Sequence, residues 1–159
     1  MLADAEPEVS PGVPGLEVVG PVALAFTRQK LPTLAGTNEL AREGVLRGGY
    51  ILREASGGTP QLILIGTGSE LQLCATAAEA LEAEGIPTRV VSLPCWERFD
   101  AQDQAYRDRV LPPAVKKRVS VEAGISLGWE RWVGDEGAII GIDHYGASAP
   151  AGKIGRAHV

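Results

Sequence analysis

Apolar positions along the chain fall into two kinds of pattern. Short apolar or β-prone runs occur at Val22–Phe26 (VALAF), Tyr50–Glu54 (YILRE), Leu62–Ile65 (LILI), Arg89–Leu93 (RVVSL), Arg118–Glu122 (RVSVE) and Ala138–Ile142 (AIIGI). Runs of about four to eight such residues between turn formers predict strands. The unbroken LILI run predicts a strand covered on both faces. The second pattern is helical. From Ser69 to about Glu84, the residues Leu71, Cys74, Ala77, Ala78 and Leu81 recur at steps of three and four, which gives one apolar face. Thr67 and Glu70 have the spacing of a capping box at its start, and Gly85 with Pro87 marks its end. A second helix is predicted from Asp100 to about Val110, acidic first and basic last, and stopped by Pro112-Pro113. A third covers Leu127–Val133, with Trp129, Trp132 and Val133 as its packed face.

From Gly49 onward strands and helices alternate. This order predicts an α/β fold with a five-stranded mixed, mostly parallel sheet and helices on both faces. The Ala55–Gln61 connection is too short for a crossover helix. The first strand must therefore pair antiparallel or lie apart from the second. Lys30–Gly48 contains Pro32, Gly36, Gly44 and Gly48 and reads as a linker with a helical turn near Asn38–Arg42. Met1–Gly20 has three prolines, four acidic residues and no period, so it reads as a disordered or poorly packed lead-in.

Composition narrows the class. With 159 residues, 45% hydrophobic and 22% charged, the chain matches one globular domain rather than a disordered segment. A net charge of −5 lacks the basic footprint of a nucleic-acid binder. No apolar run reaches the roughly 20 residues of a membrane span, and no secretory leader is evident. Two cysteines cannot build a disulfide framework, and a cytoplasmic setting fits them.

Few residues offer chemistry. Gly66–Glu70 joins a strand to a helix, where open α/β sheets bind phosphate. Leu71 stands where a dinucleotide fingerprint needs its third glycine, so a tight capped turn explains the loop better than nucleotide binding. Cys74 and Cys95 have no motif that supplies a base and read as covered thiols. Glu122 ends a strand at the edge where ligands sit, yet a cap for the turn at Gly124 explains it equally. His144 follows the last strand and could line a cleft, though a packed or surface histidine is the plainer reading. Arg28 emerges directly from an apolar run, a placement suited to bidentate phosphate or carboxylate recognition. A solvated arginine at a domain edge is the plainer reading of the spacing alone.

From Gly20 to about Gly152 the segments GPVALAFTRQKLP, RGGYIL, LILIGTGSEL, EGIPTRVVSLP, WERFDAQDQAYRDRVLP, RVSVEAGI and GAIIGIDHYGASAPAG, in that order and spacing, resemble the C-terminal part of the transketolases. The resemblance implies an enzyme that moves a two-carbon ketol unit from a ketose phosphate to an aldose phosphate, in the pentose phosphate pathway or the Calvin cycle. It implies thiamine diphosphate and a divalent ion such as Mg2+ in a homodimeric parent enzyme, with sugar phosphates as substrates and no nucleic-acid or membrane partner. Residues 21–48 then correspond to the last strand of the pyrimidine-binding domain plus the interdomain linker, and 49–153 to the C-terminal domain. Arg28 matches the arginine of the family's Ser-Arg-Gln segment that binds substrate phosphate, with Thr27 in place of the serine. No catalytic, cofactor-binding or metal-binding residue carries over. Gly134-Asp135-Glu136-Gly137 matches a turn, not the family's Gly-Asp-Gly metal motif. Residues 154–159 depart from the family abruptly, so they read as a non-native tail, and His158 with them. A chain of this extent is expected to be inactive alone. A free-standing α/β binding or subunit-interaction module is the alternative reading.

Overall fold

The computed structural model describes residues 23–144. The expectations for Met1–Gly20, Val22 and residues 154–159 lie outside the described residues. Five strands form one sheet: β1 (Tyr50–Arg53), β2 (Leu62–Gly66), β3 (Thr88–Ser92), β4 (Arg118–Val121) and β5 (Ala138–Ile140). Their spatial order is β1-β3-β2-β4-β5. β1 runs antiparallel to β3, and every other pairing is parallel. The short connection after β1 explains this: β1 cannot neighbour β2 in parallel, so it caps the far edge instead.

Period-two alternation sends neighbouring residues of each strand to opposite faces. Ile63, Ile65, Val91 and Leu93 face one layer, where they pack with Phe99, Tyr106, Val110, Leu111, Trp129, Trp132 and Val133. Leu64 and Val90 face the other, with Tyr50, Leu52, Cys74 and Ala78. The first layer carries three short helices, α3 (Trp96–Asp100), α4 (Gln104–Val110) and α5 (Glu130–Val133). The second carries α1 (Thr37–Leu46) and α2 (Leu71–Ala83). The fold is thus an α/β sheet with helices on both faces, as the alternation predicts.

Several local expectations are corrected. Lys30–Gly48 holds a ten-residue helix rather than a single turn. Its Gly44 is what lets that helix seat on the sheet, because a Cβ there would stand 2.3 Å from the Tyr50 ring. Ala23–Phe26 is exposed coil and pairs with no strand. Asp100–Val110 is two helices, since Asp103 is extended and its Oδ1 accepts the Tyr106 N–H at 2.7 Å, capping a new start. The predicted capping box does not form. Thr67 makes no side-chain cap, Ser69 Oγ donates to Glu70 Oε1 at 2.7 Å, and Gly68–Glu70 is a 3-10 turn before α2. Ala77 lies exposed, off the packed face of α2. The helix from Leu127 shortens to α5, although Trp129, Trp132 and Val133 are all buried as expected. The end of α2 follows the prediction: Gly85 has φ +80°, and the Ile86 N–H reaches the Leu81 carbonyl at 2.9 Å.

A buried arginine and a half-buried one tie the ends of elements together. Arg89, 5% exposed, makes a bidentate pair with Glu54 (2.9 and 2.8 Å) and donates to the carbonyls of Arg109 and Val110. Arg118 donates to the carbonyls of Val115, Trp132, Leu111 and Pro112. Each supplies donors to carbonyls at helix ends and in loops.

Candidate functional site

The parallel strands β2, β3 and β4 all end on the same side, which is where open α/β sheets place ligands. A cleft of about 400 Å³ lies there, lined by Thr67, Leu93 to Glu97, Glu122, Trp129 and Ala23. It gathers three of the residues singled out from sequence: Thr67 of the Gly66–Glu70 turn, Cys95 and Glu122. Each is brought there by the end of a strand, Thr67 after β2, Cys95 after β3 and Glu122 after β4.

The electrostatics of this cleft are acidic. Burial, reinforced by the negative charge of Glu70, pushes the Glu122 carboxyl above the usual carboxylate range. Cys95 Sγ donates to Glu97 Oε2 at 3.5 Å, so its partner is a carboxylate, and no histidine or cation bonds it among the described residues. The Gly66–Glu70 turn offers little to an anion. Its Glu70 N–H is already bonded to the Thr67 carbonyl at 3.2 Å, and Glu70 itself adds negative charge. A phosphate finds no cation in this lining.

The remaining sequence candidates are elsewhere. Cys74 is fully buried on the inner face of α2, and burial pushes its thiol up to about 12, so it stays a packing residue. His144 lines a separate hollow with Ile125, Ile142 and Asp143. Asp143 accepts the Ser126 N–H at 2.7 Å, and that bond holds its carboxyl below the usual range. Arg28 is exposed on the coil that leads from Ala23. The structure therefore does not bring Arg28 and Glu122 into one site. Thiamine diphosphate with a divalent ion does not fit the described residues. The cleft at the strand ends offers two carboxylates and no cation, and among the described residues no group of three or more His, Cys, Asp or Glu side chains could hold a metal.

Sequence reasoning missed a second cleft altogether. It is formed by α3, α4, α5 and the loop before β4, measures about 390 Å³, and is lined by Arg107, Lys116, Arg118, Arg131 and Trp132 among others. A clue was available in the basic residues Lys116, Lys117 and Arg118 opening a strand of an otherwise acidic chain.

The fold and its strand-end cleft define an α/β domain with one reversed edge strand. Comparison with known proteins makes the assignment specific. The family described as "Transketolase-like TK C-terminal domain" matches residues 48–158, and the chain belongs to that family. A transketolase of Geobacillus stearothermophilus is 58% identical over 134 residues, covering 84% of this chain and 20% of the relative. A chloroplastic transketolase of Solanum tuberosum is 55% identical, covering 84% of this chain and 18% of the relative. Among solved structures, a transketolase from Leishmania mexicana superposes with a TM-score of 0.66 at 44% identity, over 73% of this chain and 16% of the other. A Pichia stipitis transketolase in complex with sedoheptulose-7-phosphate superposes with a TM-score of 0.71 at 35% identity, over 82% of this chain and 18% of the other. The chain spans about a fifth of the length of the curated relatives it matches. No helix among the described residues is long and apolar enough to cross a membrane.

Proposed function

We propose that this chain is the C-terminal portion of a transketolase, a thiamine-diphosphate enzyme that transfers a two-carbon ketol unit between sugar phosphates in the cytoplasm as a homodimer. The family match over residues 48–158, with 58% identity to a bacterial transketolase, carries this reading. The contribution of the described residues is architectural. They supply a rigid, aromatic-packed domain, while cofactor and metal chemistry belongs to the parts of the longer relatives that this chain does not match. Arg28 is the one residue proposed to touch substrate, as a guanidinium that takes the sugar's phosphate.

A chimera tests both statements. This chain replaces the matching segment of the Geobacillus stearothermophilus transketolase, and transfer between ketose and aldose phosphates is assayed. The expected result is activity within about tenfold of the parent. A folded chimera with no transfer overturns the reading and favours a free-standing interaction module. In an active chimera, Arg28→Ala is expected to raise KM for phosphorylated substrates by about tenfold or more, and to leave unphosphorylated ones nearly unchanged. Equal effects on both substrates remove Arg28 from the phosphate site.

A further inference from the structure

The cleft between α3, α4, α5 and the loop before β4 stands out against the chain's net charge of −5. Its lining holds Arg107, Lys116, Arg118 and Arg131 against only Asp100 and Asp108. Most of these charges are already committed. All of Arg118's nitrogens donate to carbonyls. Asp108 accepts from Gln104 Nε2 at 2.6 Å. Asp100 pairs with Arg131 and lies 3.9 Å from Arg107.

What remains is a surplus of donors. Among the described residues, three buried side-chain polar atoms lack a hydrogen-bond partner, and two of them, Arg107 Nε and Trp132 Nε1, belong to residues lining this cleft. Trp132 is only 6% exposed, so its N–H has no ready route to bulk water. Both atoms can only donate. Lys116 is exposed and makes no ion pair among the described residues. Arg131, 56% exposed, holds Asp100 across the cleft mouth while its guanidinium lies 4.9 Å over the Trp132 ring. Buried donors without acceptors mark a place where an acceptor is missing. A negative, acceptor-rich group meets the charge and the donors together.

We propose that this cleft is an oxyanion-binding site, distinct from the phosphate contact assigned to Arg28, with Lys116, Arg107 and Arg131 as its cations and Trp132 Nε1 as an inner donor. Its ligand class is a phosphate or phosphomonoester. Arg131 is placed to exchange Asp100 for the entering anion, and that movement opens the path to the inner donors.

The test is thermal unfolding of the full chain in rising inorganic phosphate, against chloride at the same ionic strength, since a ligand of the native state raises Tm. A saturable, phosphate-dependent rise is expected. Lys116→Glu, an exposed change that leaves the core intact, is expected to weaken phosphate binding at least tenfold, whereas Arg42→Glu, an equal change of charge on the exposed side of α1, leaves it nearly unchanged. A glucose-6-phosphate arm separates the two sources of the oxyanion: tighter binding than inorganic phosphate assigns a phosphomonoester, and equal binding assigns free phosphate. The proposal is overturned if phosphate acts no differently from chloride. It is equally overturned if Lys116→Glu binds as well as the parent chain, or if Arg42→Glu weakens binding as much as Lys116→Glu does.

Discussion

Strand β4 runs between two clefts of opposite charge. At its start stand Lys116 and Arg118, in a cleft rich in guanidinium groups. At its end stands Glu122, in a cleft it shares with Cys95 and Glu97 and whose negative charge Glu70 reinforces. The two are separated by one aromatic wall. Trp96 and Trp129 line the acidic side, with ring centroids 4.9 Å apart. Phe99 and Trp132 line the basic side, 5.4 Å apart. Trp96 and Trp132 meet at 6.1 Å, so rings of both clefts touch. Topology alone points to the carboxyl ends of the strands as the ligand site. The side chains say otherwise for an anion. Position in a fold nominates a cleft, and the charge and unpaired donors of its lining decide what the cleft can hold.

The largest expected effect comes from breaking the wall itself. Phe99 is fully buried and touches both Tyr106 and Trp132. Phe99→Ala should cost about 3–5 kcal/mol of stability through lost burial and a residual cavity. It should also blur both clefts, which chemical denaturation together with near-UV circular dichroism would show. A loss below about 1 kcal/mol would mean that the wall is not the shared support of the two sites.

Next in size is a contrast within the basic cleft. Arg118 holds four carbonyls, and burial draws its guanidinium below its ordinary value. Arg118→Met leaves the Leu111, Val115 and Trp132 carbonyls without that donor, while Pro112 keeps the Val115 N–H, and should cost about 2–4 kcal/mol. Lys116→Gln, on an exposed side chain, should stay within about 0.5 kcal/mol. Urea unfolding of the two variants separates the structural cation from the one available to a ligand. Equal losses would erase that distinction.

Much of this arrangement is legible before any coordinates. The five runs that became β1 to β5 are apolar or β-branched and bounded by turn residues, so strand propensity and burial agree there. The length of Ala55–Gln61 excludes β1 as a parallel neighbour of β2, but its antiparallel pairing with β3 is set by packing. Where local signals conflict, the reading fails. Gly44 looks like a breaker in α1, but it is the place where the Tyr50 ring comes close. Asp103 sits inside a helical pattern, yet its carboxylate accepts the Tyr106 N–H and caps a new helix that begins at Gln104. Thr67 and Glu70 have the right spacing for reciprocal capping, but Gly68 takes φ +54° and turns the loop into a 3-10 start. The acidic cleft was half visible, since Cys95 and Glu122 both follow strands. The basic cleft was not, because Arg107, Lys116 and Arg131 come from three separate segments that only packing brings together.

The smallest expected effect sharpens the comparison from the acidic side. Glu122's carboxyl is held above its ordinary value of 4.5, first by burial and then by Glu70. A carboxyl with raised proton affinity in the folded state favours folding at low pH, and that contribution is lost as pH rises through the folded value. Glu122→Gln removes the loss. The variant's Tm should therefore match or exceed the parent's at neutral pH, and its advantage should shrink as pH falls toward about 4.5. The part due to Glu70 should weaken in high salt, because the pair is only partly buried. Melting both proteins from about pH 4 to about pH 8 at two ionic strengths checks each point. A parent more stable than the variant at neutral pH would mean that Glu122 is held by a favourable partner. The strand-end cleft would then have to be reconsidered as a site for cations or hydrogen-bond donors, the reverse of the cleft at the other end of β4.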